Sequence, residues 1–169
     1  MKAAGAILAV AVALAVQTTL ARFLVRGSVA VDLVLVAVVY VALTSGPVTG
    51  MLTGTFAGLV QDALSSGVIG IGGLAKTIVG FLTGIIGTQF IVAQPLPRFV
   101  VFFSTTVLHA VIFMGLYVLL DVRHFGTPYA AALGQAVGNA VVGVVAFQLV
   151  ELLPGAMERR RASRTRLRR

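Results

Sequence analysis

The charged side chains that are best placed to form a functional site lie next to, or inside, apolar runs. Asp62 ends one apolar run and Lys76 lies near the start of the next, with a short polar turn around Ser65 between them. If both runs are helices, a carboxylate and an ammonium group so placed can meet as a buried ion pair. The alternative is that Asp62 lies among lipid headgroups and Lys76 extends toward water. The sequence leaves both interpretations open.

The neutral polar side chains inside apolar runs are His109, Gln17, Gln135 and Asn139. A histidine at this depth suits a proton relay or a single hydrogen bond to a neighbouring helix, and the shortage of titratable partners favours the hydrogen bond. The three amides either pair helices or line a small-molecule site, and pairing is favoured. The sequence has no cysteine, nucleophile–base pair, phosphate loop or metal-ligand spacing, so we expect no enzyme activity, metal or cofactor.

The elements that carry these residues are membrane spans. Hydrophobic residues make up 59% of the 169 residues, charged ones 11%, and the mean hydropathy is +1.05. A spanning helix needs roughly 20 apolar residues, so about six spans fill most of the chain. We therefore predict an all-α polytopic membrane protein with one transmembrane domain over residues 1–157 and a basic tail over 158–169.

The six predicted spans are separated by polar or proline-containing breaks. They run from residue 3 to about Leu24, Leu33 to Leu43, Pro47 to near Asp62, Gly70 to Val92, Phe99 to Leu120, and Tyr129 to Leu153. A cleaved signal peptide is the rival interpretation of the first run, but the polar residues Gln17 to Thr19 favour a retained span. Proline suits the first turn of a helix, which places the start of the third span at Pro47.

Glycines recur at helical spacing in the third and fourth spans. The positions that share these faces are Gly50, Gly54, Gly58 and Asp62 in the third span, and Gly73, Lys76 and Gly80 in the fourth. In lipid, small residues let two backbones approach closely, so such faces are contact surfaces for helices. The pattern predicts a glycine-rich docking surface with charged residues along it.

The basic C-terminal tail indicates which side of the membrane it occupies. Seven arginines follow Glu158, and we expect Arg159, Arg160, Arg161 and Arg164 to bind anionic lipid. Nucleic acid is a poorer partner because the tail lacks interleaved aromatic residues. The positive-inside rule then places both termini in the cytoplasm, with nine basic residues inside and three outside. Arg22 and Arg26, on the outer side, conflict with this assignment.

The residues of the second to fourth spans resemble the pattern of the bacterial rod shape-determining protein MreD family. The resemblance rests on Asp32-Leu33, on Gly46, Gly50 and Gly54, on Gly58-Leu59-Val60-Gln61-Asp62, and on Gly70, Gly72, Leu74, Lys76 and Gly80-Phe81. The chain length and basic C-terminus are similar as well, whereas the fifth and sixth spans match in hydropathy alone. One departure is Val31, where the family commonly has proline before the aspartate.

This resemblance implies a non-enzymatic subunit of the bacterial elongasome in the inner membrane, which supports lateral peptidoglycan synthesis. Its implied partners are the single-span scaffold MreC and, indirectly, a transpeptidase, a RodA-type glycosyltransferase and the MreB filament. The implied fold is similar to that of the six-helix substrate-binding subunits of energy-coupling-factor transporters. On this basis the glycine faces form a groove for the MreC helix, with Asp62 and Lys76 setting its depth and register.

A substrate-binding subunit of an energy-coupling-factor vitamin or metabolite transporter is the alternative function. Ala9 and Ala13 resemble the small-residue face that such subunits present to a membrane partner, and Gln135 with Asn139 would coordinate the substrate. Against this alternative, the predicted loops are short and contain few polar residues from which to build a pocket or lid.

Overall fold

The computed structural model describes residues 3–23, 31–65, 68–90, 94–121 and 129–166, and within these ranges the chain forms six α-helices. They are α1 (Ala3–Phe23), α2 (Leu33–Ser45), α3 (Pro47–Leu64), α4 (Ile71–Gln89), α5 (Pro95–Leu119) and α6 (Tyr129–Arg166). Each predicted span corresponds to one of these helices, which confirms the all-α prediction.

Length and composition identify several of the helices as membrane-spanning. The segments Ile71–Gln89, Pro95–Leu119 and Tyr129–Leu152 are long and apolar enough to cross a bilayer. The shorter segments Gly5–Thr19 and Leu33–Ser45 are also apolar. Together these helices define a polytopic membrane protein.

The helix boundaries follow local backbone chemistry. Pro47 occupies the first turn of α3, as predicted, and Gly46 makes the sharp link from α2 with a φ of 87°. The two prolines between the fourth and fifth spans predict a short loop from Gln94 to Arg98, which is wrong because α5 already begins at Pro95. Two prolines fit there since the first turn of a helix has backbone N–H groups without intrahelical acceptors.

The end of the last helix also differs from the sequence prediction. Pro154 and Gly155 directly follow the sixth predicted span and predict its end, which is wrong because α6 continues through them to Arg166. A proline removes one backbone hydrogen bond and bends a helix, but it does not have to end the helix.

The glycine faces of α3 and α4 pack against each other. A Cβ atom added at Gly50 would collide with the Gly80 carbonyl, and one added at Gly54 would collide with the Lys76 carbonyl. A Cβ at Gly58 would lie 2.5 Å from the Cα of Gly73. The two backbones are therefore in direct contact along the hairpin, as small residues permit in lipid.

This contact corrects the prediction that the glycine faces form an open groove for a partner helix. Gly50, Gly54 and Gly58 are buried against Gly73 and Gly80 of the same chain. The reason is proximity, because helices joined by a short turn meet each other before either meets a second protein.

The hairpin of α5 and α6 packs across α2 and α4 through an apolar cluster. Phe102 and Phe147 from this hairpin join Leu35, Val39 and Val79 in one buried group. The Phe102 ring lies over Gly143 of α6, where an added Cβ would be 2.5 Å from the ring. The fold is thus an α2–α3–α4 unit, with the α5–α6 hairpin packed against α2 and α4, and α1 packed against α2 and α3.

Replacing Gly54 by alanine tests the backbone contact. We expect Gly54→Ala to lower the thermal unfolding midpoint in detergent, because the methyl group meets the α4 backbone and overpacking costs about 1–3 kcal/mol. Gly115→Ala is the matched control, since no atom of the described residues lies within 4 Å of a Cβ at Gly115. In the control, alanine should leave stability unchanged or raise it. Equal midpoints for both variants would contradict the close packing of α3 and α4.

Candidate functional site

A buried ion pair forms at the start of α2. Asp32 is the N-cap of this helix, and its Oδ1 accepts a hydrogen bond of 3.0 Å from the Leu35 N–H. Its Oδ2 lies 3.0 Å from Nζ of Lys76, which comes from the second turn of α4. Asp32 is 6% exposed and Lys76 is 3% exposed, so each charge has the other as its compensation.

His109 of α5 extends this pair into a three-residue cluster. Its Nε2 lies 3.3 Å from Nζ of Lys76, and its ring stacks on Phe113 one helical turn later. An ammonium group has three donors and no acceptor, so Nε2 must be the unprotonated, accepting nitrogen. His109 is therefore neutral in this arrangement. The prediction of one histidine hydrogen-bonded to a neighbouring helix is confirmed.

Amide side chains connect the cluster to the outer helices. The Oδ1 of Asn139 in α6 accepts a 2.8 Å bond from the Asp32 N–H, and its Nδ2 donates to Oγ1 of Thr106 at 3.1 Å. The Oε1 of Gln17 in α1 accepts from the Val34 N–H at 3.2 Å. Asn139 and Gln17 thus pair helices, the interpretation that the sequence favoured.

Gln61 brings α3 to the same place. Its Nε2 donates to Oδ1 of Asp32 at 3.4 Å. With this bond, α1 and α3 to α6 each contribute a side chain to the first turn of α2 or to the Lys76 group bound there. We call Asp32, Lys76, His109 and Asn139 the polar cluster.

The interpretation in which Asp62 and Lys76 form an ion pair is wrong. The Oδ2 of Asp62 accepts hydrogen bonds from the backbone N–H groups of Gly70 at 2.9 Å and Gly73 at 3.0 Å. A carboxylate is favoured there because the first N–H groups of α4 lack intrahelical acceptors and carry a partial positive charge. Asp62 faces the beginning of α4, whereas Lys76 faces α2. The alternative in which Lys76 extends toward water is also wrong, since the residue is buried.

Arg98 forms a second ion pair, which the sequence did not predict. Its guanidinium makes two bonds to the Glu151 carboxylate, of 2.6 Å and 2.9 Å, and lies 4.0 Å from the centre of the Phe147 ring. The two nearby prolines predict a loop at Arg98, whereas the structure has this residue in the first turn of α5. The pair joins the start of α5 to α6, and such a forked, stacked geometry is specific to arginine.

The residues of this site therefore hold helices together. Asp32, Lys76, His109 and Asn139 are all buried and bonded to one another or to the backbone. These bonds stabilise contacts between helices. The fold and this site define the class of protein, a polytopic α-helical membrane protein whose buried polar groups hold its helices together.

Comparison with protein families places the chain within this class. The family model described as rod shape-determining protein MreD matches residues 3–153, nearly the whole chain, and the chain belongs to this family. The match includes the fifth and sixth spans, which the sequence motifs did not cover. No curated protein and no solved structure matches the chain. The implied likeness to energy-coupling-factor subunits therefore stays a prediction.

A double-variant cycle tests the ion pair. We expect Asp32→Asn and Lys76→Met each to lower the free energy of unfolding by about 3–5 kcal/mol, because each leaves one buried charge uncompensated. Asparagine is as good an N-cap as aspartate, so the first variant removes the charge but keeps the cap. The combined variant should recover most of the loss. Thermal unfolding in detergent measures all four proteins, and purely additive losses would contradict the pair.

Proposed function

We propose that this protein is a non-enzymatic scaffold of the bacterial cell-elongation machinery in the inner membrane. Membership of the MreD family carries the proposal, since it makes the chain a rod shape-determining membrane protein. The scaffold binds the single-span protein MreC, and through MreC it is linked to a transpeptidase, a RodA-type glycosyltransferase and MreB during peptidoglycan synthesis. Both termini lie in the cytoplasm, as the basic tail suggests.

The surface that binds MreC has to differ from the glycine faces, since these are occupied within the chain. We place it in the open groove between α1 and α6, whose floor is α2. The described parts of α1 and α6 do not pack against each other, and the groove between them has a volume of about 710 Å³. The small residues of this groove are Gly5, Ala9 and Ala13 of α1, Ala37 of α2 and Ala146 of α6.

The shape and chemistry of this α1–α6 groove suit a single apolar helix. Gly5, Ala9 and Ala13 recur every four residues, so they form one small ridge along α1. Such ridges allow close helix contacts in lipid, where burial of apolar surface gives no preference between protein and lipid. The described residues that line the groove are apolar apart from Tyr40. An apolar transmembrane helix therefore meets no unpaired charge there.

Enlarging the ridge tests this assignment. We expect Ala9→Leu or Ala13→Leu to reduce the MreC recovered by co-purification about tenfold, the result of losing roughly 1.4 kcal/mol of binding free energy. Ala63→Leu is the matched control, because Ala63 is exposed on α3 away from the groove. The control should recover MreC at the level of the unchanged protein.

The choice of variants and the possible outcomes separate the groove assignment from the scaffold proposal. Leucine at Gly54 or Gly58 is unsuitable, because it would also break the α3–α4 contact described above. Unchanged recovery with both α1 variants would remove the groove assignment. Absence of MreC even with the unchanged protein would remove the scaffold proposal itself.

The basic tail has a separate proposed role in binding anionic lipid. α6 continues for 14 residues beyond Leu152, which extends the helix by about 21 Å at 1.5 Å per residue. Its sequence there contains Arg159, Arg160, Arg161 and Arg164. Each basic residue near an anionic surface contributes about 1 kcal/mol of attraction.

A fluorophore on the tail tests lipid binding. The chain has no cysteine, so Ser163→Cys gives a unique labelling position. In nanodiscs that contain phosphatidylglycerol, we expect a blue-shifted emission that is lost at about 0.5 M salt, where charges are screened beyond a few ångströms. Nanodiscs of phosphatidylcholine alone should give no shift, and glutamine at the four arginines should abolish it. A shift that persists in that variant would contradict the proposal.

A further inference from the structure

His109 connects two parts of the molecule that are otherwise joined mainly by apolar packing. Among the described residues, the polar links from the α5–α6 side include His109 to Lys76, Asn139 to the Asp32 N–H, and the Tyr117 hydroxyl, which accepts from the Val68 N–H at 3.4 Å. On the other side, Lys76 belongs to α4 and Asp32 starts α2. The polar cluster is therefore a connection between the α5–α6 hairpin and the rest of the bundle.

Lys76 determines the protonation state of Nε2 of His109 at this connection. An ammonium group donates only, so the 3.3 Å contact requires an unprotonated Nε2 on His109. A proton added to Nε2 would turn the acceptor into a donor and would place a second positive charge beside the first. The contact cannot then persist at its present distance.

The charged groups around His109 cannot absorb this change without rearrangement. Lys76 faces it from α4, and Asp32 is the carboxylate of the cluster from α2. Asn139 from α6 is neutral, and Phe113 on the same helix is apolar. One carboxylate would have to compensate two cations in a site of low dielectric constant, where such an imbalance is costly.

We propose that His109 is a proton-binding site, and that its protonation loosens the α5–α6 hairpin from α2 and α4. The ligand is the proton itself. It reaches the site from the end of the bundle where α2 begins, because Asp32 is the N-cap and lies at the end of its helix. In the proposed topology this is the extracytoplasmic end, so acidity outside the cytoplasm is what the site senses.

Spin labels measure the expected loosening. Leu74 on α4 and Leu119 on α5 are both exposed, and cysteine at each gives a unique labelled pair because the chain has no other cysteine. As the pH falls from about 8 to about 3, we expect the label distance to increase. The range extends below ordinary histidine titration because burial and the neighbouring Lys76 charge both oppose protonation of His109. An increase of about 2 Å or more is expected, the scale of helix shifts at a packed interface.

The matched variant is His109→Asn, which can still accept a hydrogen bond from Lys76 but does not titrate. Its label distance should stay constant over the same pH range. A distance that changes equally in this variant would overturn the proposal, and so would a constant distance in the labelled protein with histidine present.

Nuclear magnetic resonance of the histidine ring provides a direct second readout. The sequence contains two histidines, so His124→Gln leaves His109 alone. We expect an unprotonated Nε2 at high pH and a doubly protonated ring over the pH range in which the label distance changes. A ring that stays neutral while the distance changes, or that titrates without any change, would overturn the proposal. Neither measurement depends on MreC, so these results are separate from the test of the scaffold.

Discussion

The fold depends on the compensation of one buried carboxylate. Asp32 caps α2 and is removed from solvent, so its charge requires the Lys76 ammonium and the surrounding donors. Those groups lie on other helices, and all of them can reach the Asp32 site together only when the helices are packed as in this bundle. Packing between apolar side chains in lipid is less selective, because an acyl chain can replace any of them. The polar cluster therefore fixes the relative positions of helices whose apolar faces leave them free to slide.

A second constraint acts within the α3–α4 hairpin. There the selectivity comes from the absence of side chains, since Gly50, Gly54 and Gly58 let two backbones touch. Asp62 fixes the position of α4 along this contact, because its carboxylate accepts hydrogen bonds from backbone N–H groups at the start of α4. The two devices are complementary, because one fixes a hairpin internally and the other attaches helices that are distant in sequence.

Much of this architecture could be predicted from the sequence, and the remainder had a physical reason for being missed. Apolar periodicity and proline placement located the six helices, including the start of α3 at Pro47. Periodicity shows which residues share a face but not which helix covers that face, so the glycine surface was assigned to a partner protein. Both interpretations of Lys76 missed Asp32, because nearness in sequence made Asp62 the carboxylate to consider. The sequence signal that could have identified the partner of Lys76 was the unusual position of Asp32 at the start of an otherwise apolar helix.

The order of the charged residues along the chain has a consequence for synthesis in the membrane. Asp32 is made before Lys76, and domains form from the N-terminus as the chain emerges from the ribosome. The lysine thus enters a bilayer in which its carboxylate is already present on an earlier helix. His109 and Asn139 follow later in the chain and add their bonds to Lys76 and to the Asp32 N–H. The order of Asp32 and Lys76 along the chain therefore favours their pairing while the bundle forms.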